Sequence, residues 1–187
     1  LQKFFSWFLN VYIEIFRGTP MIVQSMVIFY GSAQAFNISL DRTWAAIFIV
    51  SINTGAYMSE IVRGGILAVD TGQFEAATAL GMTHGQTMRK VVLPQVVRNI
   101  LPATGNEFVI NIKDTSVLNV ISVVELYFTG NTVATQNYQY FPTFTIIAVI
   151  YFILTFTITR ILRYIERRLD SDTYTTGANQ MQVKEVK

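Results

Sequence analysis

From Pro142 to Thr159 the chain carries no charged residue, and the run stays apolar to Ile161 apart from Arg160. At about 1.5 Å rise per residue, a helix over 142–161 is about 30 Å long, the thickness of a bilayer's hydrocarbon layer. Other stretches resemble it. Pro20 to Phe36 is free of charge, and its length of about 25 Å is at the short end for a crossing. Thr43 to Val62 is apolar around Asn53-Thr54-Gly55 and reaches Glu60 at its end. Pro102 to Leu126 is the least regular, with Asn106, Glu107, Asn111, Lys113 and Asp114 inside it. Half of the 187 residues are hydrophobic and 14% are charged, against about 25% for an ordinary soluble domain. The pattern predicts an all-α, polytopic membrane protein with spans at 20–36, 43–62, 102–126 and 142–161.

Between these runs the sequence changes character. Residues 1–19 carry a narrow polar stripe (Lys3, Ser6, Asn10, Glu14, Arg17) on an otherwise aromatic and aliphatic helix, which suits a helix lying in the membrane interface. A core helix of a soluble bundle is the alternative. Gly18-Thr19-Pro20 then breaks and restarts the helix. Residues 64–101 are amphipathic and too charged to cross. Asp70 with Gln73, and Thr83 with Gln86, have the capping-box form, and Gly81 between them suits a left-handed helix end. The stretch 127–141, rich in Thr, Asn, Gln and Tyr, reads as a loop, and 170–187 as a polar, disordered tail.

Charge sets the orientation. Twelve of the 14 basic residues fall before the first span, between the second and third, or from Arg160 onward. Arg42 alone lies in an opposite loop, and Lys113 lies within a span. Under the positive-inside rule both ends and the 64–101 segment are expected in the cytoplasm.

Several chemistries are excluded. There is no cysteine, hence no disulfide or thiolate metal site, and His84 is the single histidine. A net charge of +2 is too small to indicate nucleic acid. No Gly-Lys pair exists to form a phosphate-binding loop, and no nucleophile–base pair is evident, so the chain is not expected to be an enzyme.

Residues 75–94, EAATALGMTHGQTMRKVVLP, resemble the cytoplasmic loop of ABC-importer permeases. Glu75-Ala76-Ala77, Gly81 and Leu93-Pro94 match its spacing, Val91 replaces the usual Ile, and Gly72-Gln73 and Gln95 flank it. Tyr12-Ile-Glu-Ile-Phe-Arg-Gly-Thr-Pro20 with Gln24, and Lys113-Asp114-Thr115-Ser116, are similar to the polar amino acid branch of that family. The resemblance implies a type I ABC-importer permease (MetI-like) fold with four of its usual five transmembrane helices present, the first being absent from this chain. It also implies a bacterial cytoplasmic-membrane location and several partners: an ATP-binding cassette ATPase subunit, an extracytoplasmic amino acid-binding protein, and a second, identical or different permease subunit. ATP and magnesium would belong to the ATPase, leaving this chain no cofactor of its own.

The residues make chemical sense of that role. Alanines at 76, 77 and 79 favour helix and permit close approach by a partner. Glu75, expected in the first turn, complements the helix dipole. Gly81 allows the reversal into the next helix. In the third span Glu107, Asn111 and Asp114 share one stripe, with Lys113 about 100° away. Charges at membrane depth usually face a cavity, so this stripe is the candidate substrate path for an ammonium and a carboxylate. Structural pairing, or contact with a dimer partner, is equally open for Lys113 and Asp114. Asn53, Thr54 and Glu60 are weaker candidates that can serve helix packing instead, and Arg17 reads as a headgroup anchor ahead of the alternative, a contact with the neighbouring cytoplasmic helices. Two other functions stand beside the importer: an ion-coupled secondary amino acid transporter, with Glu107 and Asp114 binding the ion, and a soluble helical scaffold.

Overall fold

The computed structural model describes residues 3–168, and every regular element among them is helical. In chain order these are α1 (Gln2–Gly18), α2 (Met21–Phe36), α3 (Arg42–Leu67), α4 (Thr71–Ala79), α5 (His84–Thr87), a π turn (Met88–Val92), α6 (Leu93–Asp114), a 3-10 segment (Thr115–Ile121), α7 (Leu126–Asn137) and α8 (Tyr140–Glu185). The expected tail at 170–187 lies outside the described residues. The chain divides into two compact units, residues 1–60 with 107–156 and residues 61–106 with 157–187.

The first unit is built around a close meeting of α2, α3 and the 3-10 segment. Ala45, Ala46, Ile49, Leu118 and Ile121 are buried, with Met21, Ile28 and Phe29 against them. Paired alanines on α3 let backbones approach closely, the usual device where no aqueous driving force pulls membrane helices together. The segment expected as a loop at 127–141 is instead mostly helix, α7. Its polar threonines mislead, because they can return their hydroxyls to the preceding turn, as Thr132 does to Phe128 O at 2.9 Å and Thr135 to Asn131 O at 2.8 Å. Glu125 caps the start of α7 by accepting from the N–H groups of Tyr127 and Phe128, and also accepts from the Tyr151 hydroxyl at 3.0 Å. Buried Gly130 lies against Ile147 of α8.

Two helices are long and apolar enough to cross a membrane, α3 and the Tyr140–Arg168 part of α8. A third crossing is available if the helical run 84–121 and α7 are taken as one broken span, and α2, with 16 residues, is shorter. The predicted span 102–126 is therefore not one straight helix. The α-helical ladder stops at Asp114, where four polar residues in sequence interrupt the apolar run, and the tighter 3-10 winding carries on to Ile121. Ser122, at φ 60°, ends it in the left-handed region.

The second unit holds the amphipathic segment. Asp70 caps α4 by accepting from the Gly72 N–H, while Gln73 does not close a capping box and instead accepts from Gln95 Nε2 at 3.4 Å. The predicted box at Thr83 and Gln86 does form, in both directions. α4 ends at Leu80 with Gly81 at φ 73°. The N–H of Gly81 reaches Thr78 O at 2.9 Å and that of Met82 reaches Ala77 O at 3.1 Å, the pair of bonds that defines a Schellman ending. Val69, Val92 and Val96 form the small core, with Phe74 of α4 and Met88 packed on it. The π turn falls just before Pro94, which has no N–H to continue an α-helical ladder; the wider turn takes up the change of register there.

Candidate functional site

The site in the first unit begins with a broken helix. α1 stops at Gly18 and α2 restarts at Met21 after Pro20, so the last carbonyls of α1 lose their intrahelical partners. At membrane depth such groups must be satisfied by the protein itself. The Thr19 hydroxyl donates to Ile15 O at 2.7 Å. Gln24 turns back from α2, its Nε2 within 2.9 Å of Phe16 O, Thr19 O and Thr19 Oγ1. Asn53 of α3 donates to Gln24 Oε1 at 2.9 Å and more weakly to Phe16 O at 3.4 Å. Both amides are deeply buried, Gln24 at 6% exposure and Asn53 at 8%.

Against this break lies a cavity of about 420 Å³. Its walls are the Thr19–Ile22 turn, Asn53 and Tyr57 of α3, and Glu107, Asn111 and Asp114 of α6. The three stripe residues thus face one space. Glu107 is only 8% exposed, and among the described residues its carboxylate has no hydrogen-bond or ion-pair partner. Asn111 Oδ1 accepts from the Thr54 hydroxyl at 3.2 Å. Asp114 is exposed. Lys113 is exposed too, but it is not among the lining residues, so the cavity wall is acidic without a neighbouring lysine.

Arg17 lies beside this wall. Its guanidinium is 3.4 Å from the Glu60 carboxylate and stands over the Tyr57 ring at 5.6 Å from the centroid. The pair is half-exposed and therefore weak in energy. Asn53 and Thr54, offered as packing residues, do hydrogen-bond between helices. Tyr57 was missed: an aromatic one turn beyond Asn53 in an apolar run carries no signal that distinguishes it from lipid-facing neighbours.

The second candidate surface is the outer face of α4. Glu75 and Ala76 are exposed, whereas Ala77 is buried against its own unit. Glu75 sits in the second helical turn, since the helix starts at Thr71 and not nearer the Glu-Ala-Ala triplet. Leu80, at 81% exposure, projects at the capped end beside Gly81. Leu93 and Pro94 open α6, both exposed.

Among solved structures, an amino acid ABC transporter with histidines superposes with a TM-score of 0.81 at 43% identity, covering 85% of this chain and 74% of that one. The MetNI methionine ABC transporter, in inward facing conformations, shares the fold at 21% identity, with a TM-score of 0.72 over 86% of this chain and 73% of that one. The architecture is that of an ABC-transporter permease. Residues 1–171 match the binding-protein-dependent transport system inner membrane component family, and the chain belongs to it. It is 37% identical over 168 residues to the arginine transport system permease protein ArtQ of Bacillus subtilis (strain 168), covering 90% of this chain and 77% of that protein. It is 41% identical over 173 residues to the glutamine transport system permease protein GlnP of Escherichia coli (strain K12), covering 90% and 79%. The L-cystine transport system permease protein TcyB of Bacillus subtilis is 42% identical over 165 residues, covering 88% and 70%.

Proposed function

We propose that this chain is the permease subunit of an ATP-driven importer that carries polar amino acids across the bacterial cytoplasmic membrane. The observation that carries the reading is the cavity bounded by Glu107, Asn111 and Asp114 beside a helix break. Its volume falls within the range of ordinary small-molecule pockets, about 300–1,000 Å³. Two carboxylates without a lysine on the wall favour the cationic end of a substrate, so basic amino acids fit better than acidic ones. Glutamine, arginine and cystine are all named for relatives of similar identity, and glutamine remains within the proposed range.

Coupling is assigned to α4. A short helix capped at both ends is a rigid body, and its exposed Glu75, Ala76, Ala79 and Leu80 offer a small apolar contact with one charge for a separate ATPase subunit. Closure of that partner on ATP would push on α4, and the Schellman ending would pass the push to α5 instead of absorbing it. The basic residues flanking this segment support a cytoplasmic side for it and for both ends of this chain. An external binding protein and a second permease subunit complete the assembly.

The test is uptake into vesicles holding this chain, its ATPase and its binding protein. Glutamine or arginine should accumulate only with internal ATP, and dissipating proton and sodium gradients should leave the rate intact. Uptake that follows an ion gradient and ignores ATP would replace this reading with an ion-coupled carrier.

A further inference from the structure

We propose that Gln24 and Asn53 act together as a positioning brace: their buried amide pair holds the Thr19–Ile22 wall of the cavity in place and so sets the affinity for substrate. The proposal rests on reading that cavity as the substrate passage. Its parts are on one hydrogen-bonded path. Asn53 lines the cavity and grips Gln24 Oε1 at 2.9 Å. Gln24 in turn holds the carbonyl and hydroxyl of Thr19, each at 2.9 Å, and Thr19 through Ile22 form a further part of the wall. Gln24 touches no part of the cavity itself, so its influence must pass through the backbone it holds.

The geometry goes beyond satisfying orphan carbonyls. Thr19 Oγ1 already serves Ile15 O, and Asn53 reaches Phe16 O. The two N–H donors of Gln24 Nε2 reach both sides of the break, Phe16 O on α1 and the carbonyl and hydroxyl oxygens of Thr19 in the turn, with one N–H shared between acceptors. A group bonded to both flanks of a hinge fixes its angle. The other bonds at the turn each hold one flank: Thr19 Oγ1 donates back to Ile15 O of α1, and Pro20, which has no N–H of its own, accepts at its carbonyl from the Val23 and Gln24 N–H groups of α2. A movement of α3 at Asn53 is therefore transmitted to the wall facing Glu107.

The experiment uses the assembled transporter in vesicles, with Gln24→Leu, Asn53→Leu and the exchanged pair Gln24→Asn with Asn53→Gln. Each single change should raise the half-saturating substrate concentration about tenfold, the loss expected for one or two buried hydrogen bonds, while the maximal rate stays within about twofold. The exchanged pair keeps one amide on each helix and should recover most of that loss. A second readout does not depend on transport. The chain has no cysteine, so Ile22→Cys introduces a single thiol on the wall whose rate of labelling by a charged maleimide reports its exposure. Adding Gln24→Leu should change that rate several-fold.

Unchanged half-saturation and unchanged labelling in both single variants would overturn the brace. So would a fall in maximal rate with half-saturation unaltered, which marks a role in folding or coupling alone. If Gln24→Leu does not assemble, Gln24→Met and Asn53→Ser are read by the same criteria. If the unaltered complex takes up no amino acid, the transport reading fails, and the labelling rates still decide whether the amide pair holds the wall.

Discussion

The phenol of Tyr12 lies so close over Gly55 that a Cβ added there would meet its oxygen at 3.1 Å, and the same hydroxyl donates to the carbonyl of Ile52. One bond and one missing side chain thus seat α1 on α3. A valine at Gly55 must push the ring away. Gly55→Val is expected to destabilise the purified protein by about 1–3 kcal/mol, read as a lowered midpoint of thermal unfolding in detergent. Adding Tyr12→Phe should recover part of the loss, because removing the oxygen opens the tightest contact. An unaltered midpoint in Gly55→Val would show that α1 is not held here.

Gly81 is the one described glycine with φ in the left-handed region, at 73°. A side chain there costs about 1–2 kcal/mol, and a β-branched one more. Gly81→Val should leave the protein in the membrane and lower ATP-dependent uptake by about tenfold or more, since the strain is met by unwinding the Schellman ending that joins α4 to α5. Hydrolysis by the partner should fall much less. Uptake and hydrolysis measured on the same vesicles decide this, and equal, unchanged values would remove the coupling role from this turn.

Gly130 and Ile147 make a complementary pair within the first unit. Any Cβ at position 130 would overlap the Ile147 side chain. Gly130→Ala is expected to cost about 1–3 kcal/mol, and Ile147→Ala in the same chain should return part of it by vacating the space. The two single changes and the double, compared by thermal unfolding, form a cycle whose non-additivity measures the contact. Simple additivity would mean that α7 does not rest on α8 at this point.

Glu107 and Asp114 face the cavity and Lys113 does not. Glu107→Gln and Asp114→Asn should each weaken uptake of arginine relative to glutamine by about tenfold or more, the scale of one charge-assisted hydrogen bond of about 1.5–3 kcal/mol. Lys113→Gln should leave that ratio alone. Competition between the two labelled amino acids gives the ratio directly. A shift on Lys113→Gln with none on the two acids would reverse the assignment.

Much of this is legible in the sequence. Helix starts carry their own chemistry, and Thr83 with Gln86 formed the predicted box because both partners are local. Asp70 with Gln73 did not, since Gln95, twenty-two positions away, claims the Gln73 side chain. The stripe at Glu107, Asn111 and Asp114 followed from helical spacing, and spacing survives folding. The partners of Gln24 did not follow, because they are backbone atoms at a break whose geometry depends on α3. α7 was hidden for a related reason. Its stability comes from Glu125, Tyr151 and Ile147, none of which lies within the polar stretch that looked like a loop.

The π turn at Met88–Val92 holds one residue more than an α-helical turn needs. Were it to tighten, the stretch of α6 that follows would rotate by about 100° and advance by about 1.5 Å relative to the turn before it. Leu93 and Pro94, both exposed, stand at the start of that stretch. A local rewinding at Met88 would thus turn a different face of this pair outward without unfolding a turn.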